Sequence, residues 1–425
     1  MNPEMDLVRE AFHYQSRFAG STMVFKIDFP VTAEPAFPSL VKDLALLAQT
    51  GFRIVIVPGA KEWIDSVLTE YGIRSRYINS ENHNSIRITD ARAMPFVEMA
   101  AFHGAARFMT ALSANHCDSV IGNFVRARGL GVLNGQDMEH TGRVEKILVK
   151  PIGKVLDLKM AAILPCIGWS ASGKPYNVPS GEIALAAAGA LGAIKLFIVS
   201  AEIPAGQNNV KNLRLTPKEA ETILELNKDP GALPDLRLAL AASKAGVERV
   251  HIINGREEGA VLRELFSNQG AGTMIYTDEY ESIRPLETQD IPDILRIMEP
   301  LMRQGILIRR SVEDIQEKKE DYWVFGIDGQ AHACGALHKW EKQGEIAAIA
   351  VDGAYADMGL GSRIVRFLVN QASKESLSRV FVLTTQSHDW FETLGFTEST
   401  PETLPEERRK FYNPERNSKV YVLEL

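Results

Sequence analysis

The sequence predicts an α/β protein of two domains, a parallel sheet covered by helices on both faces followed by a smaller α+β unit. Three observations carry that reading. Strand-like and helix-like segments alternate from Thr22 to Ile275, the pattern of a parallel sheet with crossover helices. A polar, acidic stretch, Tyr276 to Glu281, then interrupts it and reads as a linker over 277–282. At 425 residues the chain is also too long for one hydrophobic core. The expected domains are 1–276 and 283–425.

In order, Thr22 to Ile27 and Arg53 to Val57 read as strands around the helical segment Pro38 to Gln49. Lys61 to Tyr71 is helical, Ala161 to Ile167 strand-like, Glu182 to Leu191 helical and Lys195 to Val199 a strand. Thr216 to Leu226 and Leu233 to Ala245 are helices before the strand Arg249 to Ile253, the helix Glu257 to Asn268 and the short strand Thr273 to Ile275.

In the second part, Asp290 to Arg303 is helical, with a kink or break expected at Pro300 because proline lacks the amide donor. Tyr322 to Ile327 and Ala331 to His338 flank Asp328-Gly329, a hairpin signal. Glu345 then opens the apolar run Ile346 to Val351, a buried strand by length and composition. After a short acidic loop, Met358-Gly359-Leu360-Gly361-Ser362 leads into a helix whose Leu360, Ile364, Phe367 and Leu368 share one face. Strand, glycine turn and helix N-terminus make a site for phosphate, since the first helical amides have no partner in the chain. No P-loop lysine follows, so this is not a Walker site.

Gly359-Leu360-Gly361 resembles the pyrophosphate turn of the GNAT acetyltransferases, which bind acetyl-CoA between two splayed strands. Ala356 stands where that family carries Gln or Arg, which removes a side chain but no backbone donor. Arg379 to Thr385 and Asp389 to Phe396 resemble the strand, helix and turn that close a GNAT domain. The first part resembles the amino-acid kinase fold, and most closely the kinase-like half of bacterial N-acetylglutamate synthases. That likeness rests on Ile121-Gly122-Asn123-Phe124, on Gly131 to Gly142 and on Val247 to Ile275. The resemblance therefore implies an amino-acid kinase-like parallel sheet domain followed by a GNAT α+β acetyltransferase domain.

The phosphotransfer parts depart from the kinases. Pro58-Gly59-Ala60 replaces a glycine-rich loop, and Gly181 stands where the kinase motif has an aspartate, although Lys26 occupies the place of a phosphate lysine. Phosphoryl transfer is mostly electrostatic positioning, so a missing carboxylate argues against kinase activity. What the resemblance implies for this half is L-arginine binding, with Glu264, the Gly270 to Gly272 turn (Gly272 above all) and Tyr14 as candidates.

For the second half the resemblance implies acetyl transfer from acetyl-CoA to L-glutamate, giving N-acetyl-L-glutamate, the first step toward arginine. The substrate amine is protonated at neutral pH and needs a base, and the family assigns that role to the glutamate matching Glu345. Backbone donors at Ile349, Ala350 and Val351 would meet the oxyanion, and Thr384, with Tyr412 as the alternative, would protonate the departing thiolate. Arg310 in Gly305 to Ser311, and Arg416 and Ser418 near the C-terminus, match positions that hold the substrate carboxylates. Arg408, Arg409 and Lys410 read as a solvated basic cluster. His338 and His388 have no ligand spacing and no metal is expected.

Composition sets the remaining limits. A net charge of -7 with no basic stripe argues against a nucleic-acid partner. Three scattered cysteines make neither a disulfide framework nor a zinc site. MNPEMDLVRE lacks a signal-peptide core, and the most apolar stretch, Ile183 to Val199, is short and interrupted by Lys195, so no membrane segment is expected and the location is cytoplasmic. The family commonly forms ring-like homo-oligomers through its kinase-like half, which implies a homo-oligomer here, a hexamer being one form. Two other readings stay open: an acetyltransferase for another amino acid, and an arginine sensor with a silent transferase half.

Overall fold

The computed structural model describes residues 15, 18–79, 85–201, 213–227, 233–266, 272–277, 281–327 and 330–425. The chain divides into two compact units, Met1–Asp278 and Glu279–Leu425. Of the expected linker, residues 278–280 lie outside the described set, while Glu281 and Ser282 belong to the first strand of the second unit.

The first unit is built on strands β1 (Thr22–Ile27), β2 (Arg53–Pro58), β3 (Ser119–Ile121), β4 (Ala161–Ile163), β5 (Lys195–Ser200), β6 (Arg214–Leu215), β7 (Arg249–Asn254) and β8 (Thr273–Tyr276). They form one sheet in the order β6-β8-β7-β5-β1-β2-β4-β3. Its pairs are parallel except β7 with β8, which run antiparallel, a departure from the all-parallel expectation. Alternation along β1 sends Met23, Phe25 and Ile27 into one core and Val24 into the other, so each face of the sheet carries its own cluster. Lys26 shares the face of Val24 and sits at the carboxyl end of its strand, where open α/β sheets place their sites.

Helices α1 (Phe37–Gln49), α2 (Lys61–Glu70), α3 (Met94–Ala114), α4 (Ser180–Ala190), α5 (Pro217–Leu226), α6 (Pro234–Lys244) and α7 (Ala260–Phe266) cover the sheet. The expected segment Ala161 to Ile167 splits at Pro165 into β4 and a separate strand, Ile167–Trp169. Helix α7 starts three residues later than expected, at Ala260. Helix α5 begins with a capping box in which Thr216 and Glu219 satisfy each other's backbone amides.

The second unit is one sheet of β9 (Glu281–Pro285), β10 (Tyr322–Ile327), β11 (Gln330–Trp340), β12 (Gln343–Val351), β13 (Arg379–Thr384), β14 (Thr397–Ser399) and β15 (Lys419–Glu424), in the order β9-β10-β11-β12-β13-β15-β14. Its helices are α8 (Ile291–Arg303), α9 (Leu360–Lys374), α10 (His388–Thr393) and α11 (Glu406–Arg409). Helix α8 continues through Pro300 without the expected break. Pro300 is exposed and lies in the last turn, so the carbonyl it leaves unpaired is open to solvent. The turn residues 328 and 329 lie outside the described set, but Ile327 pairs with Gln330 across them in an antiparallel ladder.

Candidate active site

Among the described residues the second sheet has one parallel pair, β12 with β13, and it sets up the site. It lasts three residues, Gln343 with Arg379, Gly344 with Val380 and Glu345 with Phe381. Beyond Glu345 the strands part: β12 keeps to β11 as far as Val351, and β13 keeps to β15 as far as Thr384. A wedge opens there, and the backbone groups of β12 on that side have no strand partner among the described residues.

A bulge aims the open stretch. Ala348 and Ile349 together stand opposite Gly335 alone. Ala348 takes a left-handed φ of 55°, a conformation that costs of order 1–3 kcal/mol away from glycine. Gly335 permits the bulge, because a Cβ there would lie 2.7 Å from both Ile349 and Ile364. The strained residue, Ala348, immediately precedes Ile349 to Val351, the expected oxyanion donors.

The glycine turn closes the far end. A 3-10 turn, Gly353–Met358, leads to Gly359 at φ 70°, and α9 starts at Leu360. The side chain of Met358 lies outside the described set. Gly361 abuts Val351 and Trp390, where an added Cβ would lie 3.5 and 3.3 Å away, so the free amides of Leu360, Gly361 and Ser362 stand beside the end of β12.

Glu345 sits at the apex of the wedge, 6% exposed. Its Oε2 accepts from Trp340 Nε1 at 3.0 Å and Arg408 Nε at 2.6 Å, and its Oε1 from an Arg408 terminal nitrogen at 2.8 Å. The expectation that Arg408 is solvated is thereby corrected: it is 9% exposed and forks onto Glu345. Leu404 and Tyr412 pack with Phe381 and Val420, and that cluster holds α11 against the strand mouth.

Thr384 ends β13, buried, its hydroxyl accepting from the Ser387 amide at 3.0 Å and so retaining its own proton to donate elsewhere. The Tyr412 hydroxyl instead donates to the Ser418 carbonyl at 2.9 Å. Arg310 and Arg416 are neighbours on two converging segments. Arg310 donates to the Ile308 carbonyl at 3.0 Å, and Arg416 to the carbonyls of Gly305 and Ile306. Burial and the charge of Arg310 push the Arg416 guanidinium below its ordinary value, while Arg310 also interacts with Tyr322 and with the charge of exposed Asp314. Two adjacent guanidiniums held on backbone carbonyls have the chemistry to receive an anion.

In the first unit, Glu264 is buried rather than solvated. Its Oε1 meets His251 Nδ1 at 2.7 Å and its Oε2 accepts from the Gly272 amide at 2.9 Å. Burial, helped by the charge of Lys195, holds His251 down at about 4, so the ring is neutral and its Nδ1–H donates to Glu264. The sequence did not single out His251. Tyr14 and residue 270 lie outside the described set. A separate cavity of about 1220 Å³ is lined by Lys26, Asp28, Gly59, Asn177, Gly181 and Asp235 among others. There Lys26 Nζ lies 2.7 Å from Asp28 and 3.5 Å from Asp235, and the Ser200 hydroxyl bridges both carboxylates. Leu238 stands 3.2 Å from where a Cβ on Gly181 would be.

Among the described residues no group of His, Cys, Asp and Glu could hold a metal ion, and no helix is long and apolar enough to cross a membrane.

Comparison with known proteins places these features. Residues 30–254 match the Amino acid kinase family and residues 291–396 the Acetyltransferase (GNAT) family. An amino-acid acetyltransferase of Photobacterium profundum is 35% identical over 98% of this chain and 97% of its own. That of Escherichia coli K12 is 34% identical with the same coverage. N-acetylglutamate synthase from Neisseria gonorrhoeae, solved with coenzyme A and L-arginine, superposes with a TM-score of 0.87 at 30% identity over 100% of both chains. The same enzyme with coenzyme A and N-acetyl-glutamate gives 0.62 at 32% identity, again over 100% of both chains.

Proposed function

The chain belongs to the amino-acid acetyltransferases, with an amino-acid kinase domain ahead of a GNAT domain, and from that premise we propose how its residues divide the work. It transfers the acetyl group of acetyl-CoA to the amine of L-glutamate, giving N-acetyl-L-glutamate, and binds L-arginine in its kinase-like half. The observation that carries the site assignment is the buried carboxylate of Glu345 at the apex of a strand fork, with a phosphate-binding helix N-terminus at the fork's far end.

Glu345 takes a proton from the substrate ammonium, directly or through one water, and frees the nitrogen lone pair. That nitrogen attacks the thioester carbonyl, and the C–N bond forms while the carbonyl electrons move to oxygen. Backbone amides at Ile349 to Val351 stabilise the oxyanion, and the α9 turn, Met358 to Ser362, holds the pyrophosphate. When the C–S bond breaks, the acylated nitrogen gives up its second proton to the Thr384 hydroxyl as that hydroxyl passes its own to the departing thiolate, which leaves a neutral amide, a thiol and an intact threonine, whereas the Tyr412 hydroxyl is committed to Ser418. Arg310, Arg416 and Ser418 hold the substrate carboxylates. Glu264 and Gly272, already joined by a hydrogen bond, receive arginine with Tyr14.

The kinase-like cavity transfers no phosphate in this reading. Lys26 is already neutralised by two carboxylates, and Gly181 supplies no charge. A homo-oligomer formed through the first unit fits the exposed Met99, Phe102 and Met109 along α3, and three buried unpaired cysteines fit a cytoplasmic location.

The test is CoA release with glutamate, aspartate, ornithine or no acceptor, each with and without arginine. Release that depends on glutamate and responds to arginine is expected. Equal release with ornithine would move the substrate site, and no release with any acceptor would leave a sensor alone.

A further inference from the structure

Arg408 holds the carboxylate at the fork in a geometry that bears on the direction of proton transfer. A carboxylate has about four lone-pair positions, two on each oxygen. On Glu345, Oε2 spends both, on Trp340 Nε1 and Arg408 Nε, while Oε1 spends one on the second Arg408 nitrogen. One acceptor position remains, on Oε1. Arg408 is itself fixed, with its guanidinium 5.8 Å from the Trp340 ring centre. Its helix belongs to the same C-terminal segment as Arg416 and Ser418, packed down through Leu404 and Tyr412. Other titratable groups also face this carboxylate: His338 is its cross-strand partner on β11, and Asp321 accepts from His338 at 2.6 Å.

We propose that Arg408, with Trp340, is the positioning residue for acetyl transfer: its two-pronged grip fixes the Glu345 carboxylate so that Oε1 alone is left to receive the substrate's proton. This rests on the reading of Glu345 as the base. Arg408 touches no substrate and acts through Glu345. A bidentate fork suits the task because it fixes the plane of the carboxylate as well as its position, which a lysine point charge cannot do. It also ties the base to the segment that grips the substrate carboxylate, so one piece of chain sets both ends of the reaction.

The test is a double-mutant cycle on the full chain, Arg408→Ala and Glu345→Gln singly and together, with kcat and the Michaelis constant for glutamate measured from pH 5.5 to 9.5. Arg408→Ala is expected to lower kcat about 100-fold, the scale of a misplaced reacting group, with acetyl-CoA affinity within about twofold of the parent. In the Glu345→Gln background the same change should cost almost nothing more, because a residue acting through another loses its effect when that other is absent. Arg408→Lys should recover little of the rate, and added guanidinium should recover part of it in Arg408→Ala, which also shows that the variant is folded. A loss of the same factor in both backgrounds, or no rescue by guanidinium, would reduce Arg408 to a packing residue and overturn the proposal. A near-native Glu345→Gln would instead remove the base reading beneath it, so the two failures are told apart.

Discussion

Each half of the molecule keeps a buried ion network on a strand, at the carboxyl end of β1 in the first and near the amino end of β12 in the second, and the two differ in what they leave over. In the kinase-like unit one ammonium, Lys26, faces two carboxylates that are further tied together by Ser200. Lys26 itself has no charge left over for a phosphate. In the transferase unit one carboxylate, Glu345, faces one guanidinium and one indole N–H, and an acceptor position survives. Buried pairs are costly to assemble and give little net stability over an apolar core, so their value lies in what they hold in place. The first network is closed and structural. The second is open by one lone pair, and the proposed mechanism uses that opening.

Removing the open network's carboxylate is expected to have the largest effect. Glu345→Gln should lose roughly 100- to 10,000-fold in turnover at neutral pH while keeping its affinity for acetyl-CoA. Steady-state rates and calorimetry check both parts, and a rate near the parent's across the pH range contradicts the assignment.

Breaking the closed network should instead cost stability. Lys26→Met leaves Asp28 and Asp235 facing each other without their cation, a change of about 3–5 kcal/mol for a buried pair that loses one partner. Denaturant unfolding of the first transition reports it. A variant as stable as the parent would mean that the two carboxylates find other partners and that the network is not structural.

A third contrast lies outside both networks, in the cation pair Arg310 and Arg416. Each is expected to hold a substrate carboxylate, so Arg310→Ala and Arg416→Ala should raise the Michaelis constant for glutamate roughly 10- to 150-fold, or about 1.5–3 kcal/mol. That for acetyl-CoA should stay put. An unchanged glutamate constant in both variants removes this substrate site.

The smallest expected effect concerns a buried group in neither network. Burial holds Asp43 up at about 6, and its Oδ2 has no hydrogen-bond partner. Since the folded state binds this proton more tightly than the unfolded chain, the stabilisation is present at low pH and lost as pH rises from about 4 to 6. His251, held at about 4, has the opposite sign: its contribution is full above about 6.5 and is lost as pH falls toward 4. Asp43→Asn should therefore raise stability by about 1–2 kcal/mol at pH 7.5, with the gain vanishing below pH 4. A gain that is the same at both pH values would put its cause elsewhere.

Much of this was legible in the sequence, for reasons that vary by residue. Strands β1, β2, β5 and β7 are short apolar runs between helical patterns, and burial on both faces of a sheet leaves that mark in any sequence. The region from Tyr71 to Ala161 was largely silent. Helix α3 is rich in alanine, with methionine and phenylalanine also on its exposed side, so no polar stripe marks its period. Glu345 and the glycine turn stood out because charge and glycine interrupt an apolar run. Arg408 did not, because Arg408-Arg409-Lys410 has the composition of a solvated loop, and its partner lies 63 residues away in the chain. A long-range ion pair leaves no local periodicity, and only the fold brings its halves together. His251 was hidden for a related reason, lying in a strand where its neighbours Val250, Ile252 and Ile253 set the pattern.

The contrast between the two units can be measured on one preparation. The full chain is incubated with acetyl-CoA and L-glutamate and assayed for CoA, and in parallel with ATP and N-acetyl-L-glutamate and assayed for ADP, each with and without millimolar L-arginine. Glutamate-dependent CoA release that changes with arginine, and no ADP above the acceptor-free blank, is the predicted result. ADP formation that depends on N-acetyl-L-glutamate would show that the Lys26 network is open after all and would contradict the account.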